Sequence, residues 1–165
     1  MAERQGPRIR RIVTGHDKNG KAVVRIDACA DNHKFPTDRL SSTLLWATDA
    51  APDDFLREED AGSRILGTAP PAGGTRFCVL EIQPGNAFDG LHRTDTVDYV
   101  ICMEGTLDMD LDDSCVTLNP GDVMVQRGTN HAWVNRGKVP ARIAVVLVDG
   151  RPKRAGSVSG STSAR

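Results

Sequence analysis

A chain of 165 residues can bury one core and little more, so a single domain is expected over residues 1–150. An apolar content of 39% with 26% charged residues is ordinary for a globular protein, and a formal net charge of −1 gives no electrostatic case for nucleic acid or an anionic membrane. No apolar run approaches the roughly 20 residues that span a bilayer, and the N-terminus MAERQGPRIRRIV lacks a signal-peptide core, so a cytoplasmic location is expected.

The first elements are a hairpin. RRIVTGHDKNGKAVVRID reads as two short strands joined through Asn19-Gly20, a pair that tolerates positive φ, with His16 exposed nearby. Residues 28–41 are polar, contain Phe35-Pro36 and His33, and read as a loop. Ser42 to Thr48 is the next strand, and Trp46 on it is either core or a wall of a pocket. Pro52 to Glu59 suits one or two helical turns, because acidic residues favour a helix start. The following stretch, with loop 61–75 rich in Gly, Pro and Ala, reads as an irregular connection, either over a barrel mouth or at an interface.

RFCVLEIQ, Arg76 to Gln83, is a clear strand, and Pro84-Gly85 turns out of it. Residues 85–135 then carry two of the four histidines, His92 and His131, each beside a Gly-containing turn. If one strand runs unbroken from 92 to 98, its period of two turns His92, Thr94 and Asp98 the same way, and the same count groups His131, Trp133 and Asn135. Between them Leu107, Met109 and Leu111 alternate with Asp108, Asp110 and Asp112, and Val116 and Leu118 follow. That pattern predicts a β-meander.

Beyond the second histidine, Ile143 to Val148 is a continuous apolar run suited to a strand buried on both faces. Residues 151–165 are Gly- and Ser-rich and read as a flexible tail. Arg8, Arg10 and Arg11 near one end, and Arg151, Lys153 and Arg154 near the other, are expected to be solvated. Cys29, Cys78, Cys102 and Cys115 form no CxxC pair, so reduced thiols, mostly buried, are expected.

Gly85, His92, Asp98 and Gly105, followed by Pro120-Gly121-Asp122, Gly128, His131 and Asn135, resemble the two signature motifs of the cupin superfamily. The resemblance implies an all-β fold, the jelly roll or double-stranded β-helix, with short helical turns. It also implies a divalent metal ion, iron, manganese, nickel or zinc. The sequence departs from the family pattern in four places, one of them His131, which arrives one residue earlier than usual. Thr94 stands where the second histidine is usual, Asp98 replaces glutamate, and the Gln126-Arg127-Gly128 turn lacks the usual proline.

Two imidazoles and one carboxylate from different strands make a facial triad for such an ion, here His92, Asp98 and His131, which are also the expected catalytic groups. The alternative is a metal-free pocket in which the same groups are satisfied by ligand or water. Thr94, Arg127, Trp133 and Trp46 are the expected substrate-binding residues, Arg127 as a bidentate partner for a carboxylate or phenolate. Tyr99, next to Asp98, should face away into a second layer, and Arg93 with Asp95 should form a surface pair.

The segment His92-Arg93-Thr94-Asp95-Thr96-Val97-Asp98-Tyr99 also looks like that of biosynthetic cupins, some described as oxidoreductases. The expected function is a metal-dependent oxidoreductase, or a related lyase or isomerase, acting on a polyketide-like or aromatic metabolite. A non-catalytic small-molecule binder and a structural, dimerising barrel are the other classes. A homodimer through an edge or strand exchange is expected, since exposed sheet edges need cover.

Overall fold

Alternation of apolar and polar residues dictates most of this molecule. The computed structural model describes residues 5–86 and 90–151, so the expected tail lies outside the described residues apart from Arg151. The described strands are β1 (Arg10–His16), β2 (Ala22–Cys29), β3 (His33–Thr37), β4 (Leu40–Thr48), β5 (Thr75–Ile82) and β6 (Thr96–Glu104). They continue as β7 (Leu107–Asp110), β8 (Cys115–Leu118), β9 (Val123–Arg127), β10 (Ala132–Val134) and β11 (Ala141–Asp149).

β1 and β2 form the expected hairpin, with Gly20 at φ +76° in the turn and the Asp17 carboxylate accepting the Asn19 and Lys21 amides. The other strands make two sheets, one in the order β3-β4-β5-β11-β6-β9 and one in the order β10-β7-β8. The chain crosses between these sheets repeatedly, β6 to β7, β8 to β9, β9 to β10 and β10 to β11. The expected meander is therefore corrected: only β7 and β8 are a simple hairpin, and β9 returns to pair with β6.

The Pro120-Gly121-Asp122 turn causes that return. Its Gly121 amide donates to the Cys102 carbonyl at 2.8 Å, and the Cys102 amide donates to the Asp122 carbonyl at 2.9 Å, so the turn is fastened directly onto β6. The result is a jelly roll, two sheets closed over one core.

The core lies between the sheets. Ile82, Leu107, Met109 and Ile143 are fully buried there, with Val100, Val145, Leu147 and Leu118 around them. Each such side chain contributes roughly 1.5–3 kcal/mol on leaving water. A smaller cluster, Ala30, Leu45 and Val79, packs on the other face of the large sheet beneath Ile9. At the β6–β7 turn Gly105 has φ +69°, and a Cβ there would sit 2.5 Å from the Pro140 carbonyl oxygen, so only glycine fits.

Three local expectations change. Residues 33–37 are a strand, not a loop, because they form the sheet's edge, where polar side chains and Pro36 are tolerated. Pro52 to Glu59 is not helical, and the helical turn instead comes at Ala61–Ser63, where the Asp60 carboxylate accepts the Gly62 amide at 2.9 Å. β11 alternates buried with half-buried positions, so one of its faces is only partly covered. No helix among the described residues is long and apolar enough to cross a membrane.

Candidate active site

His92 and His131 meet at the open end of the barrel. Each donates its amide to the other's carbonyl at 2.9 Å, an isolated antiparallel bridge that brings the ring centroids to 4.3 Å. The unbroken strand expected from 92 to 98 does not exist, since β6 begins at Thr96. His92, Thr94 and Asp98 nevertheless line one cavity, because the segment before β6 crosses over to bridge with the residue preceding β10.

That cavity encloses about 510 Å³ and is walled by Leu40, Leu80, Leu91, Trp133, Val145 and Leu147. This volume suits a small organic ligand with an apolar body. Trp133 is buried and stands edge-on to the His131 ring at 6.1 Å.

Two imidazoles and one carboxyl face this space, beside the Arg76 guanidinium, the Cys78 thiol and the exposed Lys34. Burial holds the His131 imidazole below its ordinary range, against the opposing pull of the Thr129 carbonyl. His131 Nδ1 lies 3.0 Å from that carbonyl oxygen, which can only accept, and in the tautomer that donates there Nε2 keeps the free lone pair. The Gln126 amide lies 2.9 Å from the same Nδ1. His92 is exposed at the mouth and also shifts downward, through burial and then the neighbouring His131. Asp98 is 5% exposed, its Oδ1 has no hydrogen-bond partner among the described residues, and burial pushes its carboxyl above the usual carboxylate range.

Asp98 belongs to a rung that crosses four strands. Arg76 on β5 pairs with Leu147 on β11, Leu147 with Asp98 on β6, and Asp98 with Gln126 on β9. All four are buried and share the inner face. Arg76 was missed in the sequence, although the period of two along RFCVLEIQ puts it on the same side as Cys78. Gly67 and Thr68 also line the cavity, which places the loop 61–75 over the mouth.

Two expected substrate contacts lie elsewhere. A register shift between Leu44 and Trp46 turns Trp46 to the outer face, opposite Phe77. There it lines a separate hollow with Ile12 and Phe55. Arg127 pairs with Val97, one residue out of phase with the Asp98–Gln126 pair, and is exposed outside the cavity. Tyr99 faces outward as expected but is 51% exposed, with no second layer over it. Arg93 and Asp95 form their surface pair at 2.6 Å. Cys78 and Cys102 are buried thiols, whereas Cys29 and Cys115 are exposed.

Asn135 is structural. Its side-chain amide donates to the carbonyls of Ile82 and Val139 at 2.8 and 2.9 Å, and its own amide donates to Asn86 Oδ1 at 2.7 Å. This clasp fastens the end of β10 to the turn after β5.

The donor set answers only part of the metal expectation. The two imidazoles are adjacent, and the His131 tautomer leaves a nitrogen free to ligate. Among the described residues, however, no three His, Cys, Asp or Glu side chains gather closely enough to hold an ion. The triad of His92, Asp98 and His131 is thus a pair plus a carboxyl in the same cavity.

Comparison with known proteins agrees with this architecture. The family model described as "Cupin domain" matches residues 78–148. The chain is 43% identical over 160 residues to Oryzines biosynthesis cluster protein J of Aspergillus oryzae, covering 92% of this chain and 89% of that protein. It is 34% identical over 154 residues to the cupin-domain-containing oxidoreductase srdD of Neurospora crassa, covering 87% and 78%. Among solved structures, an HTH_3 family transcriptional regulator from Vibrio cholerae superposes with a TM-score of 0.50 at 14% identity, over 74% of this chain and 58% of that one, and shows the fold alone. The bridged histidines, the glycine and asparagine turns and these likenesses lead to one conclusion: the chain belongs to the cupin superfamily.

Proposed function

We propose that the chain is an oxidoreductase or a related lyase or isomerase of secondary metabolism, acting on a polyketide-like or aromatic metabolite held in the histidine cavity. The observation that carries this reading is the bridged imidazole pair facing a cavity that also contains a buried carboxyl with an unpartnered oxygen. Relatives of this chain are named as cupin-domain-containing oxidoreductases and as products of biosynthesis clusters, which supports the same class.

The residues suit proton transfer. Neutral His131 presents Nε2 as a base that can take a proton from a carbon next to a carbonyl or from a phenol. Asp98, biased by burial towards its protonated form, can donate a hydrogen bond to the oxygen on which negative charge develops. Such acid–base assistance is worth roughly 10²–10⁴ in rate. Trp133 and the leucines around it exclude water, which strengthens each of these contacts. An iron, manganese, nickel or zinc ion on the imidazole pair would add Lewis acidity and, for iron or manganese, a route for electrons.

Purified protein should be analysed for metals and offered enolisable and phenolic biosynthetic intermediates, alongside His92→Ala and His131→Ala. Turnover that falls at least about 100-fold in either variant supports the enzyme, and stoichiometric metal lost in both variants supports its metal dependence. A second reading, a small-molecule binder without catalysis, is favoured by one observation: Thr94 supplies no imidazole and the donors stop at two. Ligand-induced thermal stabilisation with no turnover of any candidate is its signature.

A further inference from the structure

We propose that the ligand of this cavity is an organic monoanion whose carboxylate is received by Arg76, an assignment that deepens the reading above by naming the substrate's chemical class. Arg76 is 5% exposed and lines the cavity, yet a guanidinium does not shed its charge. Its contacts are all to neutral groups. One terminal nitrogen donates to Ser42 Oγ at 2.8 Å, and the other lies 3.3 Å from Cys78 Sγ and 3.4 Å from the Thr68 carbonyl. Nε is buried with no partner among the described residues.

No carboxylate among the described residues pairs with it. Asp98, the buried acid of the same rung, is two strands away across Leu147, about 10 Å at the usual strand spacing. A buried cation without a counter-charge is costly, and removal from water is repaid only by an oppositely charged, well-bonded partner. Among the described residues the fold thus holds a buried positive charge beside the apolar wall of the cavity with no anion paired to it, a place suited to an anion from outside.

The fork geometry of guanidinium matches a planar carboxylate, which accepts two parallel hydrogen bonds. A phosphate monoester brings nearly two charges and three acceptor oxygens, more than one buried guanidinium answers, since the other cation of the lining, Lys34, is exposed and donates to the Leu66 carbonyl. A carboxylate seated on Arg76 directs the body of the ligand across Leu147 towards Asp98 and the imidazole pair. The substrate is accordingly a carboxylic acid whose reactive carbon lies several bonds from its carboxylate.

The test compares benzoate, cinnamate and hexanoate with their carboxamide isosteres, by calorimetric titration of the whole chain without any turnover. Wild-type protein should prefer at least one of the three anions over its amide by about tenfold or more, the scale of a charge-assisted hydrogen-bond pair. Arg76→Met should erase that preference, and Arg76→Lys should keep part of it, because the charge stays while the fork is lost. Absence of a preference in wild-type protein, whether from equal binding or from none, overturns the proposal, as does a preference that survives Arg76→Met.

Removing an unpaired buried cation should leave the melting temperature of Arg76→Met equal or higher. Should that variant nevertheless fail to fold, Arg76→Lys decides alone: a weakening of threefold or more supports the assignment and an unchanged preference overturns it. The enzymatic reading fails separately. An intact carboxylate preference with no turnover of any acid counts against catalysis while the role of Arg76 stands.

Discussion

Two neighbouring rungs of the large sheet differ in almost everything except their geometry. Arg76, Leu147, Asp98 and Gln126 cross β5, β11, β6 and β9, and two residues deeper Cys78, Val145, Val100 and Met124 cross the same strands in the same register. Both rungs face inward. The deeper one is apolar, its members belong to or lie against the main core, and Cys78 and Val145 also form part of the cavity wall. The shallower one holds a cation and an acid, each with an unpartnered atom. Backbone pairing fixes the scaffold of both alike, so the difference is carried by side chains alone: one rung packs the core and underlies the cavity, and the other carries the cavity's charged groups.

Exchanging the character of the rungs should break this comparison most visibly. Val100→Asp places an unpaired carboxyl in the packed rung and should cost about 4 kcal/mol of stability. Urea titration reads this directly, and a loss under about 1 kcal/mol would mean that the deeper rung is not the tight layer described here. Asp98→Asn in the shallower rung keeps shape while removing the acid. Turnover should fall about 100-fold with folding stability unchanged or slightly raised, and steady-state rates measured beside a denaturation curve separate the two effects.

A quieter change sharpens the contrast. Ile143→Val, one rung deeper still, should cost about 1 kcal/mol through a small cavity and leave carboxylate affinity at the wild-type value. An altered affinity would show that the layers are coupled rather than independent.

The smallest effect is on pH. Burial raises the Asp98 carboxyl above its ordinary value of 3.8, so the native state binds more protons than the unfolded one between that value and the raised one. Stability from this group is full below 3.8 and declines as pH rises through the window. His131 acts in the opposite direction. Its imidazole is held below the ordinary 6.5, so its contribution is present above 6.5 and is lost as pH falls towards the native value. Melting temperatures taken across this range should lose the first slope in Asp98→Asn and show a shallower second slope in His131→Ala, with His92 supplying the remainder, and identical profiles in all three proteins would remove the electrostatic account.

Much of this was legible in the chain. The glycines, the Pro-Gly-Asp turn and the two histidines carried the resemblance that implied the jelly roll, whereas the meander expected between His92 and His131 is replaced by the return of β9 to β6. What escaped was parity. The irregularity between Leu44 and Trp46 moves the indole to the opposite face of the sheet, and a shift of one residue is invisible in a run as uniformly apolar as Leu44-Leu45-Trp46. Arg127 was misassigned for a related reason, since its phase is set by pairing with Val97 rather than by the turn that follows it. β3 was hidden because an edge strand need not be apolar. Arg76 was within reach by alternation alone, but a basic residue at a strand's first turn reads as solvated until the loop that covers it is seen.

The reciprocal amide bonds between His92 and His131 use only main-chain atoms. Such a junction accepts any side chain that leaves the amide N–H in place, which excludes only proline, so either position can be replaced without losing the bridge. Reactivity at the mouth is in that sense interchangeable, like tips on a common handle, and the present pair is one choice among those that the same junction could display.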